Sequence, residues 1–414
     1  MLVTNKKPPK NEKKEKELKK MADCGGYFMK YSDSVEMIPA SSIRNMMVRA
    51  SKIDDVISFS VGDPDFAPAD CVIDAAKAAL DRKETHYAPG AGLNELRDIY
   101  AEYLSKQEGV KYTRENVIVT VGGMSCLFLT LRAIVNPDDE ILVPAPYFTN
   151  YSQMIKMCYG KPVNVEVYEK DDFVITADSI KKNVSEKTKA IMLNSPCNPT
   201  GSVISAETLE EIAEIAKERD LFVISDEVYR HLVFDSEAVP SIAQIPGMKE
   251  RTLIVDSCSK TFAMTGFRIG FGAGPEHFIE LLTKLTEGIH SSSPTIGQRA
   301  AIEAFKNAMP YCMNVMLPEY KARRDYLFER LNKMKGISCI KPKGAFYIFA
   351  NISGTGLTAQ EFADRLLDEA HVAVVPGDNF GSQQGSCYVR MAYAISMDKI
   401  KEGCERIERF CSGL

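Results

Sequence analysis

Tryptophan is missing from this chain altogether. Also missing is an apolar run of the about 20 residues needed to cross a bilayer. The longest apolar stretches, such as Leu221 to Ile224, are short and bounded by charge. They read as buried strands, so no membrane role is expected. A strong excess of one charge is lacking too: the formal net charge is −5, which implies no general attraction to nucleic acid or anionic lipid. The 11 cysteines are odd in number, form no C-x-x-C pair and have no zinc-like spacing to histidine. That argues against a disulfide framework or a metal site and favours a reducing, cytoplasmic setting, with most cysteines acting as small buried apolar residues. There is no G-x-x-x-x-G-K-[ST] and no well-placed G-x-G-x-x-G, so nucleotide readings lack support.

What is present is the composition of an ordinary globular protein, with 45% hydrophobic and 26% charged residues. A length of 414 residues exceeds one ordinary core and implies two domains. Residues 1–26 stand apart. Lys6, Lys7, Lys10, Lys13, Lys14, Lys16, Lys19 and Lys20 are interleaved with Glu12, Glu15 and Glu17. This lacks the apolar centre of a secretory signal and the arginine and serine of a transit peptide, and reads as a solvated tail. Met21 is a candidate original start.

From there the chain alternates strand and helix. Strands are expected at Val117 to Val121, Glu140 to Val143, Lys189 to Asn194, Leu221 to Ser225 and Thr252 to Asp256. A helix is expected from Ser125 to Val135, and another is opened by a capping-box pair, Thr208 and Glu211. This predicts an α/β fold with a large, doubly wound, mostly parallel sheet over residues 65–305. A smaller α+β domain follows at 306–414. It is expected to hold a long polar helix at Tyr320 to Lys335, a helix near Thr358 to Glu369, and strands at Ala345 to Ala350, Val372 to Val375 and Tyr388 to Ala392. Residues 27–64 form an N-terminal arm that joins this smaller domain.

Ligands of such sheets sit at the carboxyl ends of the strands, and the residues found there carry chemistry. In Ser257-Cys258-Ser259-Lys260-Thr261-Phe262, Lys260 directly follows a buried strand, a costly place for an amine without a task. The plain reading is a loop lysine. The S-x-x-K of penicillin-binding enzymes is a second reading, but its S-D-N and K-T-G companions are absent. A third is a lysine that forms a Schiff base with a cofactor aldehyde, with Arg268 as a forked cation suited to phosphate. Other strand ends offer Gly122-Gly123-Met124, otherwise a tight turn; Phe148; Asn198 in Asn-Pro-Thr-Gly, otherwise simply a good turn; and Asp226 in Asp-Glu-Val-Tyr, otherwise a helix cap.

The pattern S-x-S-K-T-F-x-x-x-G-x-R-x-G over 257–270, with N-P-x-G at Asn198 and D-E-x-Y at Asp226, resembles the class I pyridoxal-phosphate aminotransferases of fold type I, aspartate or aromatic aminotransferase-like. The resemblance covers about residues 55 to 395. It implies pyridoxal 5′-phosphate as cofactor and an amino acid and a 2-oxo acid as substrates. Lys260 would hold the cofactor and serve as acid–base. Asp226 would keep the pyridine nitrogen protonated, and Tyr229 and Asn198 would bond the phenolic oxygen. Gly122, Gly123, Met124, Ser257 and Arg268 would receive the phosphate, with Phe148 stacked on the ring. Arg390 would grip the substrate carboxylate, under the Gly62 segment. Val375-Pro376-Gly377 and Phe380 match a structural turn of the family. Tyr87 and Ser292 match residues that reach a neighbouring subunit's phosphate, implying a homodimer with shared sites. An aspartate-specific branch carries an arginine where Gly288 stands here, with His290 nearby, so the donor is left open between aspartate and aromatic types. A C–S β-lyase on the same scaffold is the alternative reading. A sensor domain of a transcription regulator would need a helix-turn-helix, and no such pattern precedes the domain.

Overall fold

The computed structural model describes residues 32–36, 38, 42–235 and 239–414. The expected tail at 1–26 lies outside the described residues, as does part of the arm at 27–64. The chain divides into two units, 1–39 and 40–414. In the first, Asp33–Glu36 forms a single helical turn.

Among the described residues the second unit contains thirteen strands: β1 (Ile57–Ser58), β2 (Val117–Val121), β3 (Glu140–Ala145), β4 (Lys161–Glu166), β5 (Thr188–Asn194), β6 (Phe222–Asp226), β7 (Thr252–Ser257), β8 (Ile269–Ala273), β9 (Ser338–Cys339), β10 (Tyr347–Asn351), β11 (Val372–Ala373), β12 (Val375–Pro376) and β13 (Tyr388–Ala392). Seven build one sheet in the order β2-β8-β7-β6-β5-β3-β4. All neighbours pair in parallel except β8, which is antiparallel to both β2 and β7. Successive residues of β5 enter different cores. Ile191 and Leu193 join the cluster under the helix Ala206–Glu218, whereas Ala190 and Met192 join the one under the helix Gly122–Ile134. Helices therefore cover both faces, as a sheet with apolar residues on both sides requires. The chain has the expected α/β architecture.

A four-stranded antiparallel sheet, β12-β13-β10-β9, forms from the C-terminal part, and β1 pairs in parallel with β11. The expected boundary between 305 and 306 falls in a π-helical turn, Ala304–Ala308, of a helical stretch that is continuous from Thr295 to Leu331.

Three local expectations are corrected. The helix expected at Ser125 begins at Gly122, so the glycine pair is the helix start itself. The cap expected at Thr208 is Ser205, whose hydroxyl accepts from the Thr208 amide at 3.2 Å; Thr208 sits inside the first turn. Val372 to Val375 is two short strands, β11 and β12, that belong to different sheets.

Candidate active site

The carboxyl ends of β2, β5, β6 and β7 open on a cavity of about 470 Å³. Its lining brings together Gly62, Gly123, Met124, Phe148, Asn198, Asp226, Tyr229, Ser257, Lys260, Arg268 and Arg390. Three predicted residues lie apart from that lining. Gly122 adjoins it through Gly123, while Tyr87 is 86% exposed on the surface. Ser292 is also outside the lining.

Lys260 stands on a short helix, Cys258–Thr261, launched directly from β7 with Ser257 as its cap. Its Nζ donates to the Gly62 carbonyl at 2.6 Å. Burial lowers its pKa to about 8; Asp63 pulls it back up, and Arg390 and Arg268 push it further down. The amine thus titrates in a range where it can both give and take a proton.

Asp226 is the last residue of β6 and is 3% exposed. No helix follows it, which excludes the plain capping role. Burial raises its carboxyl to about 6, countered by the hydrogen bond from Tyr151 Oη to Oδ2 at 2.6 Å and by the Val228 amide. Tyr151, on the helix Asn150–Met157, is a site residue that the sequence reading does not single out. Its only signal is its place three residues after Phe148.

Arg390 lies within β13 and is buried. Its Nη1 donates to Asn198 Oδ1 at 3.0 Å and its Nη2 to the Ser60 carbonyl at 2.7 Å. Nε has no partner although it is buried. A buried guanidinium nitrogen without an acceptor costs free energy, and a carboxylate in the cavity would supply the acceptor. The Asn198 carbonyl oxygen is engaged by Arg390, which leaves its amide nitrogen as a donor. Phe380, expected as purely structural, packs its ring 5.1 Å from the Arg390 guanidinium.

The far end of the cavity is shaped by glycine and arginine. Gly122 has φ +73°, and a Cβ there would stand 2.5 Å from Arg268 Nη2. Gly270 lets β8 close on the same spot, since a Cβ would overlap the Gly122 and Gly123 backbone. This gives the last glycine of the lysine motif a physical reason. Arg268 adopts a left-handed conformation, and its Nη1 donates to the Thr265 carbonyl at 2.8 Å. Ser257 and Ser259 add hydroxyls 2.8 Å apart. Ser259 also lines the cavity and is not among the predicted residues. A guanidinium, two hydroxyls and a helix start make this end suited to an anion.

The cavity thus joins an end suited to an anion, a buried acid, a depressed amine and a buried arginine with one unpartnered nitrogen. Residues 54–407 match the family model for aminotransferase class I and II. The chain is 44% identical over 383 residues to an aspartate aminotransferase of Pyrococcus abyssi, covering 92% of this chain and 98% of the relative. It is 40% identical over 383 residues to aromatic-amino-acid aminotransferase 2 of Thermococcus litoralis, with the same coverage of 92% and 98%. The solved aspartate aminotransferase of Thermus thermophilus with maleate superposes with a TM-score of 0.88 at 35% identity, over 92% of this chain and 100% of that one. The chain belongs to the class I and II aminotransferase family, and it is an aminotransferase. The β-lyase alternative draws no support from these relatives.

Proposed function

We propose that this aminotransferase uses pyridoxal 5′-phosphate, held by the residues of this cavity, to move an amino group from an aspartate-type or aromatic L-amino acid to a 2-oxo acid such as 2-oxoglutarate. The observation that carries the reading is the convergence of a depressed amine, Lys260, a raised buried acid, Asp226, and the Arg390 guanidinium with its unpartnered Nε on one cavity.

The donor set suits the cofactor. Arg268, Ser257 and the amides of Gly122, Gly123 and Met124 would hold its phosphate. Phe148 would stack on its ring, Asn198 and Tyr229 would bond its phenolic oxygen, and Asp226 would face its ring nitrogen. When bound, that group supplies an electron-accepting ring that stabilises negative charge at the substrate's Cα. The rest is the work of the chain. Arg390, anchored by Asn198 and Ser60, binds the substrate carboxylate and sets the Cα–H toward Lys260, an orientational gain. Lys260 then takes that proton and returns one as general acid–base. The Gly62 segment, bonded to Lys260 through its carbonyl, covers the site from the other side. Tyr87 and Ser292, outside their own protomer's cavity, fit a homodimer in which each reaches the partner's phosphate. No described helix is long and apolar enough to cross a membrane; a cytoplasmic location is part of this proposal.

One feature bears on the donor. The cations in the lining are Lys260, Arg268 and Arg390, each already given a task, while Met47, Val61, Met124, Leu127 and Phe148 form apolar wall. Among the described residues the lining holds no further cation for a second carboxylate. His290 is held by Ser125, with 3.0 Å between Oγ and Nε2. The lining therefore favours aromatic over aspartate donors.

Absorption spectra of the cofactor-loaded enzyme, recorded as amino acids are added singly, test the reading. Conversion of the visible band to a near-ultraviolet one, with release of oxo acid, is the expected result, and aromatic donors are expected to convert it at lower concentration than aspartate. Ammonia and pyruvate appearing without an acceptor would instead indicate elimination. The absence of any visible band would overturn the cofactor assignment.

A further inference from the structure

Tyr347 stands where three parts of the site meet, and no role has been given to it above. It opens β10, pairs with Ala392 of β13 and is 2% exposed. Its Oη is 2.9 Å from Tyr229 Oη. Its ring faces the Arg390 guanidinium, with Cζ 4.6 Å from the centroid. Its hydroxyl also lies against Gly62, where a Cβ would collide with it. Glycine at 62 is thus required by the tyrosine as much as by any substrate.

A phenol carries one proton. If Tyr229 spends its own on the cofactor's phenolic oxygen, the 2.9 Å contact leaves Tyr347 as the donor to Tyr229. A donor at the Tyr229 oxygen polarises that phenol and makes it the stronger donor in turn. The ring acts separately: with Phe380 it confines the guanidinium by cation–π attraction before substrate arrives. We infer that Tyr347 is a positioning residue for transamination, whose hydroxyl sets the hydrogen bond of Tyr229 and whose ring presets Arg390. The inference rests on the proposed roles of Tyr229 and Arg390. It adds that a single side chain of the four-stranded sheet ties carboxylate recognition to the electronic tuning of the cofactor.

The test uses cofactor-loaded wild-type enzyme, Tyr347→Phe and Tyr347→Leu. Two readouts are needed: the pH titration of the visible absorption band, and KM and kcat for an amino donor. Tyr347→Phe keeps the ring and removes the donor. Its band is expected to titrate about half a pH unit higher than in wild type, because negative charge on the phenolic oxygen is less stabilised, with KM within about twofold. Tyr347→Leu removes both functions and is expected to show the same displacement together with a KM raised roughly five- to tenfold. A wild-type band with an unshifted Tyr347→Phe titration would overturn this inference alone. An unchanged KM in Tyr347→Leu would overturn the part assigned to the ring. A wild-type protein with no band would overturn the cofactor reading and this inference with it. Should Tyr347→Leu fail to fold, Tyr347→Phe decides.

Discussion

The seven-stranded sheet presents Gly123, Asn198, Asp226 and Lys260 to the cavity from the segments that end its strands, whereas the four-stranded sheet sends Arg390 and Tyr347 in from the middle and start of its strands. The two sets differ in kind. Lys260 and Asp226 are groups whose proton affinity burial has moved toward neutrality, one down to about 8 and the other up to about 6. Arg390 keeps its charge at any physiological pH and is fixed by strand register, Asn198, Ser60 and two aromatic rings. Strand-end segments supply groups that can change protonation state. In-strand positions supply a recogniser that is not asked to move, and rigid elements hold such groups more accurately than loops do. Substitutions of Lys260 and Asp226 should therefore act on kcat, and those of Arg390 on KM.

Lys260→Ala gives the largest expected effect. Loss of the acid–base group and of the cofactor's anchor should lower turnover by roughly 10⁴-fold or more, measured as oxo acid formed from donor and 2-oxoglutarate. Lys260→Arg should be as inactive, because a guanidinium neither forms the Schiff base nor releases a proton near neutral pH. Near-normal turnover in either variant would remove the lysine from the mechanism. Arg390→Gln should come next. Losing the charge-assisted hydrogen bonding of the guanidinium to the carboxylate should lower kcat/KM by roughly 10²- to 10⁴-fold, mostly through KM. A loss confined to kcat would break the division between the two sheets.

Asp226→Asn sharpens the comparison through stability. A carboxyl raised from 3.8 to about 6 by burial is harder to ionise folded than unfolded. Below pH 3.8 the group costs nothing. Between that value and about 6 the unfolded chain releases the proton while the folded protein retains it, so stability falls as pH rises; above about 6 the whole penalty is present. In the cofactor-free enzyme at pH 7.5, Asp226→Asn should therefore raise unfolding stability by about 1–3 kcal/mol and abolish that pH dependence, while turnover drops. Asparagine can still accept from Tyr151. Denaturant titrations of both proteins at pH 4 and 7.5 would check it; equal stabilities at both values would mean the acid is not strained in the fold.

These residues also divide by how readable they are in the chain. Lys260, Asp226 and Asn198 are legible because each lies within four residues of the carboxyl end of an expected strand, where ligands of such sheets bind. Arg390 is legible only through the family pattern, since an arginine within a strand looks like a surface residue until the partner sheet is folded over it. Tyr151 and Tyr347 are not legible. One lies in the first turn of a helix and the other in Phe346-Tyr347-Ile348-Phe349, where an aromatic reads as core, and their hydroxyls matter only once Asp226, at the end of β6, and Tyr229, in the turn after it, are brought to them. Two strands of the large sheet are hidden for related reasons. In β8, Gly270 and Gly272 depress strand character, yet both are required by close approach, to the Gly122–Gly123 backbone and to Cys126 Sγ. In β4, Pro162 argues against a central strand, and β4 is in fact the sheet's edge.

The smallest expected effect concerns the helix Ala206–Glu218, which packs Leu209, Ile212 and Ile215 under β5 and β6 and touches no cavity group. Its start is spelled by two hydroxyl residues three apart, Ser205 and Thr208, and sequence spacing favours the second because Glu211 completes a capping box with it. Packing decides otherwise. Starting at Ala206 places Leu209 in the buried face one turn earlier, and Ser205, with extended backbone at φ −74° and ψ 161°, accepts from the Thr208 amide. Ser205→Ala should thus cost about 1 kcal/mol of unfolding free energy, and Thr208→Ala, which leaves that amide capped, only a few tenths. Neither should alter kcat or KM, because neither Ser205 nor any residue of this helix lines the cavity. A larger loss in Thr208→Ala would place the true cap where the sequence puts it and shorten the helix by its first turn. A change in kcat from Ser205→Ala would show that the strand-end groups depend on the stability of the helix that follows β5.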